Sequence, residues 1–189
     1  MHVVRVCVGR RYDFILGVWH MSDFSKALIS ETPKNGLEEK LNLFGQFVGD
    51  WDLDGVYGKG TPDEWRVPGE WLFSWILDGT AIQDTFICPS RKERAINPHP
   101  DAEYGTTVRF YNPSKDTWDI CYGGYGYMTV LEAKQVGNQI IVVNKDTSDG
   151  LNQWVFSDIT PVSFHWQNRT SYDNGTTWTV NFEVFANKR

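Results

Sequence analysis

From residue 49 onwards, apolar and polar side chains alternate with a period of two in one short segment after another. In residues 51–57, Trp51, Leu53 and Tyr57 fall on one side of an extended chain, and Asp52 and Asp54 fall on the other. This alternation is typical of a β-strand with one buried and one solvated face. Turn-forming sequences such as Asn112-Pro-Ser-Lys and Asp173-Asn-Gly separate the segments. The pattern predicts about ten strands, near residues 49–58, 68–77, 80–88, 104–112, 117–123, 125–134, 139–146, 151–158, 162–171 and 176–186.

Strands that follow each other through tight turns, without helical crossovers, pair with their neighbours in sequence. Ten such strands form either a sandwich or a closed barrel, and closure removes the exposed edges. We therefore favour an all-β fold, a ten-stranded antiparallel up-and-down barrel. Leu37, Leu41, Phe44 and Val48 recur at helical spacing before the first strand, which predicts a short helix that ends at Gly49 and caps one end of the barrel.

The helix and the strands place the barrel domain at residues 37–189 and leave residues 1–36 as an N-terminal arm or tether. Met21 resembles a natural start, so residues 1–20 are expected to be an upstream extension or an outer arm. The segment 89–103 has no periodicity and is expected to be a long loop, either a lid or an insertion.

Charge and composition restrict the partners and the compartment. The chain has 189 residues and a formal net charge of -6, which disfavours binding to nucleic acid. Apolar runs are shorter than the roughly 20 residues that a membrane-spanning helix needs, so no membrane partner is expected. Three cysteines at irregular spacing form no Cys-x-x-Cys pair and favour a cytoplasmic location.

Several strings of the sequence are similar to known barrel families. Gly49-Asp50-Trp51 at the start of the first strand resembles the lipocalin and fatty-acid-binding barrels of the calycin group. Trp75-Ile-Leu-Asp-Gly-Thr-Ala-Ile-Gln-Asp84 and Arg109-Phe-Tyr-Asn-Pro113 make residues 37–187 similar to a bacterial lipocalin-like domain family of unknown function. The resemblance implies a calycin-type barrel with an internal cavity, in which Trp51 closes one end, and it implies no reaction.

The aromatic residues, 15% of the chain, indicate a ligand cavity, although any one ring can also be core filler. In an apolar barrel, Arg109 and Glu183 would pair or orient a ligand's carboxylate, phenol or carbonyl if both face inward, and would be surface residues if both face outward. The candidate ligand-binding residues are Trp71, Trp75, Gln83, Arg109, Tyr111, Trp118, Tyr122, Trp166 and Glu183.

Three functions remain open at this point. The first is binding of a small apolar or aromatic molecule, which enters near the 89–103 loop. The second is a metal-independent enzyme of the isomerase, cyclase or hydratase type, in which Asp84 or Glu183 beside Arg109 would supply the acid. The third is a homodimeric interaction protein with a filled barrel.

No metal site or cofactor is predicted. The four histidines form no pair at metal-ligand spacing. Haem bound through His165 is the one cofactor considered, and it is disfavoured because the similar haem barrels carry their histidine near the C-terminal end.

Overall fold

Ten antiparallel strands form a closed barrel in the computed structural model, which describes residues 22–97, 102–144, 146, 148 and 150–189. Each strand pairs with its neighbour in sequence, and the last strand pairs with the first, so the predicted barrel is confirmed. The elements in chain order are α1 (Asp23–Leu28), β1 (Ile29–Ser30), α2 (Glu38–Gly45), β2 (Gly49–Tyr57), β3 (Trp65–Ile76), β4 (Ala81–Cys88), α3 (Arg91–Ile96), β5 (Glu103–Asn112), β6 (Thr117–Gly124), β7 (Tyr127–Val136), β8 (Gln139–Asn144), β9 (Leu151–Ser157), β10 (Ser163–Ser171) and β11 (Thr179–Lys188).

Helix α2 and the residues that follow it fill one end of the barrel, which we call the closed end. Leu41, Phe44 and Phe47 are each at most 1% exposed and pack into the barrel core. The indole Nε1 of Trp51 donates a hydrogen bond to the carbonyl oxygen of Phe47 at 2.7 Å, and Trp51 is fully buried. Trp51 therefore closes this end of the barrel beneath the N-terminal segment, as the resemblance implied.

The helix ends four residues earlier than predicted. It stops at Gly45, where a Cβ atom would lie 2.5 Å from the ring of Trp75. Gly49 instead begins β2, with a φ of +129° that favours glycine. The sequence thus contains two glycines that the geometry requires, one for packing against β3 and one for the bend into the barrel.

Two segments outside the ten barrel strands, β2 to β11, contain more regular structure than predicted. In the expected tether, α1 leads into β1, which pairs with the end of β3 through Ile29 and Ile76. Residues 1–21, and with them the expected extension, lie outside the described residues. The expected long loop contains α3, whose N-terminus is capped by the Ser90 hydroxyl, which accepts a hydrogen bond from the Glu93 N–H.

No helix in the described part of the chain has both the length and the apolar character that crossing a membrane requires.

Candidate functional site

A cavity of about 300 Å³ opens at the end of the barrel opposite α2. This open end is where β2 finishes at Tyr57, β5 begins at Glu103 and β7 begins at Tyr127. The loop that carries α3 joins β4 to β5 at the same end. The volume lies at the lower limit of typical small-molecule sites.

Aromatic rings form the walls of the cavity. Trp166 contacts Trp71 at 5.7 Å between ring centroids and Trp154 at 5.9 Å, with steep angles between the ring planes. Because these rings hold each other in place, the apolar surface that they offer is largely preformed. The wall rings are Trp71, Phe86, Trp154, Trp166 and Phe182.

A stack of three rings leads from the surface into the mouth. Tyr57 lies parallel to Trp65 at 4.7 Å and is stacked on Phe182 at 4.1 Å. Trp65 is 39% exposed, whereas Phe182 is buried. The mouth therefore has a flat aromatic edge on the side of β2 and β11.

One carboxylate and two phenols lie together on the other side of the mouth. The hydroxyl of Tyr122 donates to Oε1 of Glu103 at 2.6 Å, and the hydroxyl of Tyr127 donates to the same oxygen. Burial, followed by the adjacent Glu103 carboxylate, raises the pKa of Tyr127 to about 12 and the pKa of Tyr122 further still. Both phenols are therefore protonated donors at neutral pH.

A glycine makes room for this cluster. A Cβ on Gly105, two residues after Glu103 on β5, would lie 2.8 Å from the Tyr122 ring and 2.9 Å from Oε1 of Glu103. The absence of a side chain at this position lets the Tyr122 phenol lie across β5 and reach the carboxylate.

Two amides complete the polar rim. Oδ1 of Asn168 accepts from Asn152 at 2.9 Å, and Nδ2 of Asn181 donates to Thr170 at 2.8 Å. Deeper in the wall, the Nε1 of Trp166 has no hydrogen-bond partner among the described residues, although it is buried. A buried donor without a partner is costly, and a ligand acceptor would satisfy it.

A buried ion pair lies below the cavity and separates it from the closed end. Arg109 and Asp84, which are 1% and 0% exposed at the side chain, form a salt bridge. Burial raises the pKa of Asp84, and the Arg109 charge opposes that effect. The guanidinium also lies 4.9 Å from the ring centroid of Phe44 and 5.4 Å from that of Phe73. Neither charged side chain lines the cavity.

The structure separates the nine sequence-predicted residues into three groups. Trp71, Tyr122 and Trp166 line the cavity. Trp75, Arg109, Tyr111 and Trp118 lie towards the closed end, where the hydroxyl of Tyr111 donates to Asp116 at 2.6 Å. Gln83 and Glu183 lie on the outer face of the barrel, because their strand neighbours Asp84 and Val184 point inward.

The hypothesis that Arg109 and Glu183 pair across the cavity is wrong. Glu183 lies on the outer wall, where it binds Lys59 and His165, each at 2.7 Å. Burial opposes ionisation of Glu183, but hydrogen bonds from Lys59, His165 and Gln167 outweigh it and lower its pKa. His165, the residue considered for haem, is stacked on Phe185 on the same outer wall.

A β-bulge explains the error at Glu183. The register between β10 and β11 shifts after Asn168, so that Asn168 faces Phe182 while Arg169 faces Val180 and Asn181 is the extra residue. Thr179 and Glu183 are four positions apart, which suggests one face, but the bulge places them on opposite faces. The alternation in the sequence does not show this insertion.

The cavity residue that the sequence interpretation missed most clearly is Glu103. It shares the inward face of β5 with Gly105, Thr107 and Arg109, two residues apart each time. Extending the predicted strand by one residue, from 104 to 103, would have placed the carboxylate in the cavity. The other lining residues that were not predicted are Tyr57, Phe86, Thr107, Tyr127, Trp154, Asn168, Asn181 and Phe182.

The fold and site together define a closed ten-stranded barrel with an aromatic cavity at one end. No protein-family model and no curated protein matches the chain. Solved structures do: the S-type phycobiliprotein lyase CPES from Guillardia theta has a TM-score of 0.52 and 9% identity, covering 83% of this chain and 98% of its own. Rv2717c from M. tuberculosis has a TM-score of 0.50 and 10% identity, covering 79% and 97%. Both neighbours are lipocalin-like barrels. At such low identity the likeness shows the fold alone.

Proposed function

We propose that the protein binds a small apolar or aromatic molecule in the cavity at the open end of the barrel, and that it belongs to a lipocalin-like family. The observation that carries the proposal is the cavity itself, about 300 Å³ of space walled by preformed aromatic rings and bordered by a few polar groups. A largely apolar pocket with a small number of converging polar groups is typical of a ligand site.

The position of the cavity also supports the proposal. The closed end is filled by side chains of α2 and β2, whereas the open end keeps space between its rings. Apolar side chains alone are enough to fill the core of a barrel. The open end also contains polar groups, the buried Nε1–H of Trp166, which has no partner among the described residues, and the carboxylate of Glu103. One structural neighbour is named a phycobiliprotein lyase, which is consistent with a barrel of this shape that handles a small molecule.

The proposal is tested with N-phenyl-1-naphthylamine, a neutral probe whose fluorescence rises in apolar surroundings. We expect saturable binding to the unmodified protein and loss of most of that binding in Thr107→Phe, since Thr107 is 2% exposed and lines the cavity. Thr85→Phe is the matched control, because Thr85 lies on the outer face of the adjacent strand β4. Equal binding by both variants, or no saturable binding by any of the three proteins, would contradict the proposal.

An enzyme in the same cavity is the second candidate, and the cluster at the mouth favours it. A carboxylate and two protonated phenols are groups that general acid–base catalysis uses. The acids considered from the sequence, Asp84 and Glu183, do not line the cavity. Incubation with a host metabolite extract, followed by mass spectrometry, separates turnover from retention. Turnover that Tyr122→Phe abolishes would support the enzyme.

The homodimer and the cytoplasmic location remain predictions from the sequence. The filled barrel assumed for the interaction protein differs from the structure, since the open end contains a cavity. Size-exclusion chromatography with light scattering measures the oligomeric state directly.

A further inference from the structure

A charged side chain, Glu103, lines the cavity, and its position indicates the chemical class of the ligand. Of the described residues that line the cavity, only Glu103 carries a charge. Its Oε1 accepts both phenol hydrogens, from Tyr122 and from Tyr127. A carboxylate offers about four acceptor positions, of which the phenols occupy two.

The second oxygen of Glu103, Oε2, has no partner in the part of the chain that the structure describes. Among the described residues, no donor reaches Oε2 and no cation forms a salt bridge with this carboxylate. Arg94 donates to the main-chain carbonyl of Glu103 at 3.3 Å and places its guanidinium over the ring of Tyr104, outside the cavity. The two phenols therefore fix the orientation of the carboxylate and leave Oε2 to a ligand.

The cation that could have suited an acidic ligand is not accessible. The side chain of Arg109 is 1% exposed, contacts Phe44 of the closed end and is paired with Asp84. An anionic group in the cavity would meet the Glu103 carboxylate without a cation among the described lining residues, which is unfavourable in a partly desolvated site. The net charge of -6 attracts cations to the surface and repels anions.

We infer that the cavity selects a basic aromatic ligand, an apolar ring system that carries a protonated amine or a comparable N–H donor. The ring lies among Trp71, Trp154 and Trp166, and the donor binds Oε2 of Glu103 at the mouth. This inference rests on the proposed function, because it assumes that the cavity is the binding site. It differs from the alternative that the sequence left open, in which Arg109 and Glu183 would orient a carboxylate, phenol or carbonyl of the ligand.

The test compares three ligands with the same ring. Competition against bound N-phenyl-1-naphthylamine gives the affinities of 1-naphthylmethylammonium, 1-naphthylmethanol and 1-naphthoate at neutral pH. A charge-assisted hydrogen bond in a partly buried site predicts that the ammonium binds on the order of tenfold more tightly than the alcohol. The naphthoate is expected to bind more weakly than either.

Two variants test whether Glu103 causes the preference for the ammonium over the alcohol. Glu103→Gln keeps the shape and can still accept from the tyrosines, so the ammonium and the alcohol are expected to bind equally. Glu93→Gln removes the same charge from exposed α3 and is expected to leave the preference intact. Circular dichroism and thermal unfolding confirm that both variants are folded.

Three other results would contradict the inference, and each identifies the step that fails. Equal affinities for all three ligands in the unmodified protein would refute the basic ligand and leave the cavity proposal standing. A preference that persists in Glu103→Gln would show that another group creates it. If neither the neutral probe nor any naphthalene ligand binds saturably, the proposed function fails together with the inference.

Discussion

At the scale of single residues, the Asp84–Arg109 ion pair is the most demanding feature of the interior. Both side chains are fully buried, so each charge depends on the other for compensation. Removing one partner leaves an unpaired charge in an apolar environment. We therefore expect Asp84→Asn or Arg109→Met alone to lower the free energy of unfolding by about 3–5 kcal/mol, measured by urea denaturation.

The double variant shows whether the two side chains act as a pair. With both charges removed, the loss of stability should be clearly smaller than the sum of the two single losses, by about 1–3 kcal/mol. Additive losses would mean that the two side chains stabilise the fold independently. N-phenyl-1-naphthylamine binding should survive in every variant that folds, because neither side chain lines the cavity.

At the scale of elements, the contact between α2 and β3 depends on the absence of a side chain at Gly45. Alanine normally stabilises a helix relative to glycine, but here its Cβ would lie 2.5 Å from the Trp75 ring. We expect Gly45→Ala to destabilise the protein by about 1–3 kcal/mol, because the buried ring must move. Asn42→Ala, at an exposed position of the same helix, is the control and should be close to neutral in thermal unfolding. A stabilised Gly45→Ala variant would contradict this packing.

Helix α3 is attached to the barrel wall by Glu70 of β3. Its carboxylate, 8% exposed, accepts from the main chain of Arg91 at 2.7 Å and from the guanidinium of Arg91 at 2.6 Å and 3.0 Å. These hydrogen bonds lower the pKa of Glu70 to about 2. The ionised carboxylate therefore stabilises the fold above the ordinary pKa of 4.5, and this contribution is lost as the pH falls from 4.5 towards about 2.

The Glu70→Gln variant tests this linkage. Because Arg91 is half exposed and solvent screens the pair, we expect a loss of about 1–2 kcal/mol at neutral pH. The stability difference between the two proteins should remain constant from pH 7 to about 5 and shrink below 4.5. Urea denaturation across this range measures it, and Glu39→Gln, at an exposed position of α2, is the charge-matched control. A difference that stays constant down to pH 3 would refute the assignment.

Most helices and strands could be predicted from the sequence, because the alternation of a strand and the residues of a turn lie within a few consecutive positions. The ten strands follow from the alternation, and the helix before β2 follows from Leu41 and Phe44. The bulge beside Asn181 could not be predicted, because one extra residue in a strand depends on the pairing with β10. Because of that insertion, Glu183 lies on the outer wall although Thr179, four positions earlier, lies on the opposite face.

At the scale of the whole molecule, the barrel consists of a filled half and a hollow half. Alternation along a strand shows which side chains point inward, but it does not show their height along the barrel axis. That height depends on the tilt and stagger of the strands. For this reason Trp71 and Trp166 were correctly placed in the cavity, whereas Trp75 and Trp118 were predicted there but lie towards the closed end.

The tryptophans of the two halves report most directly whether a ligand binds in the open end of the barrel. In a ¹H–¹⁵N correlation spectrum, each indole N–H gives its own signal during titration with N-phenyl-1-naphthylamine. We expect saturable shifts for Trp71, Trp154 and Trp166 and unchanged signals for Trp51 and Trp118. Shifts confined to Trp51 and Trp118, or no saturable shift at any indole, would contradict binding in the open end.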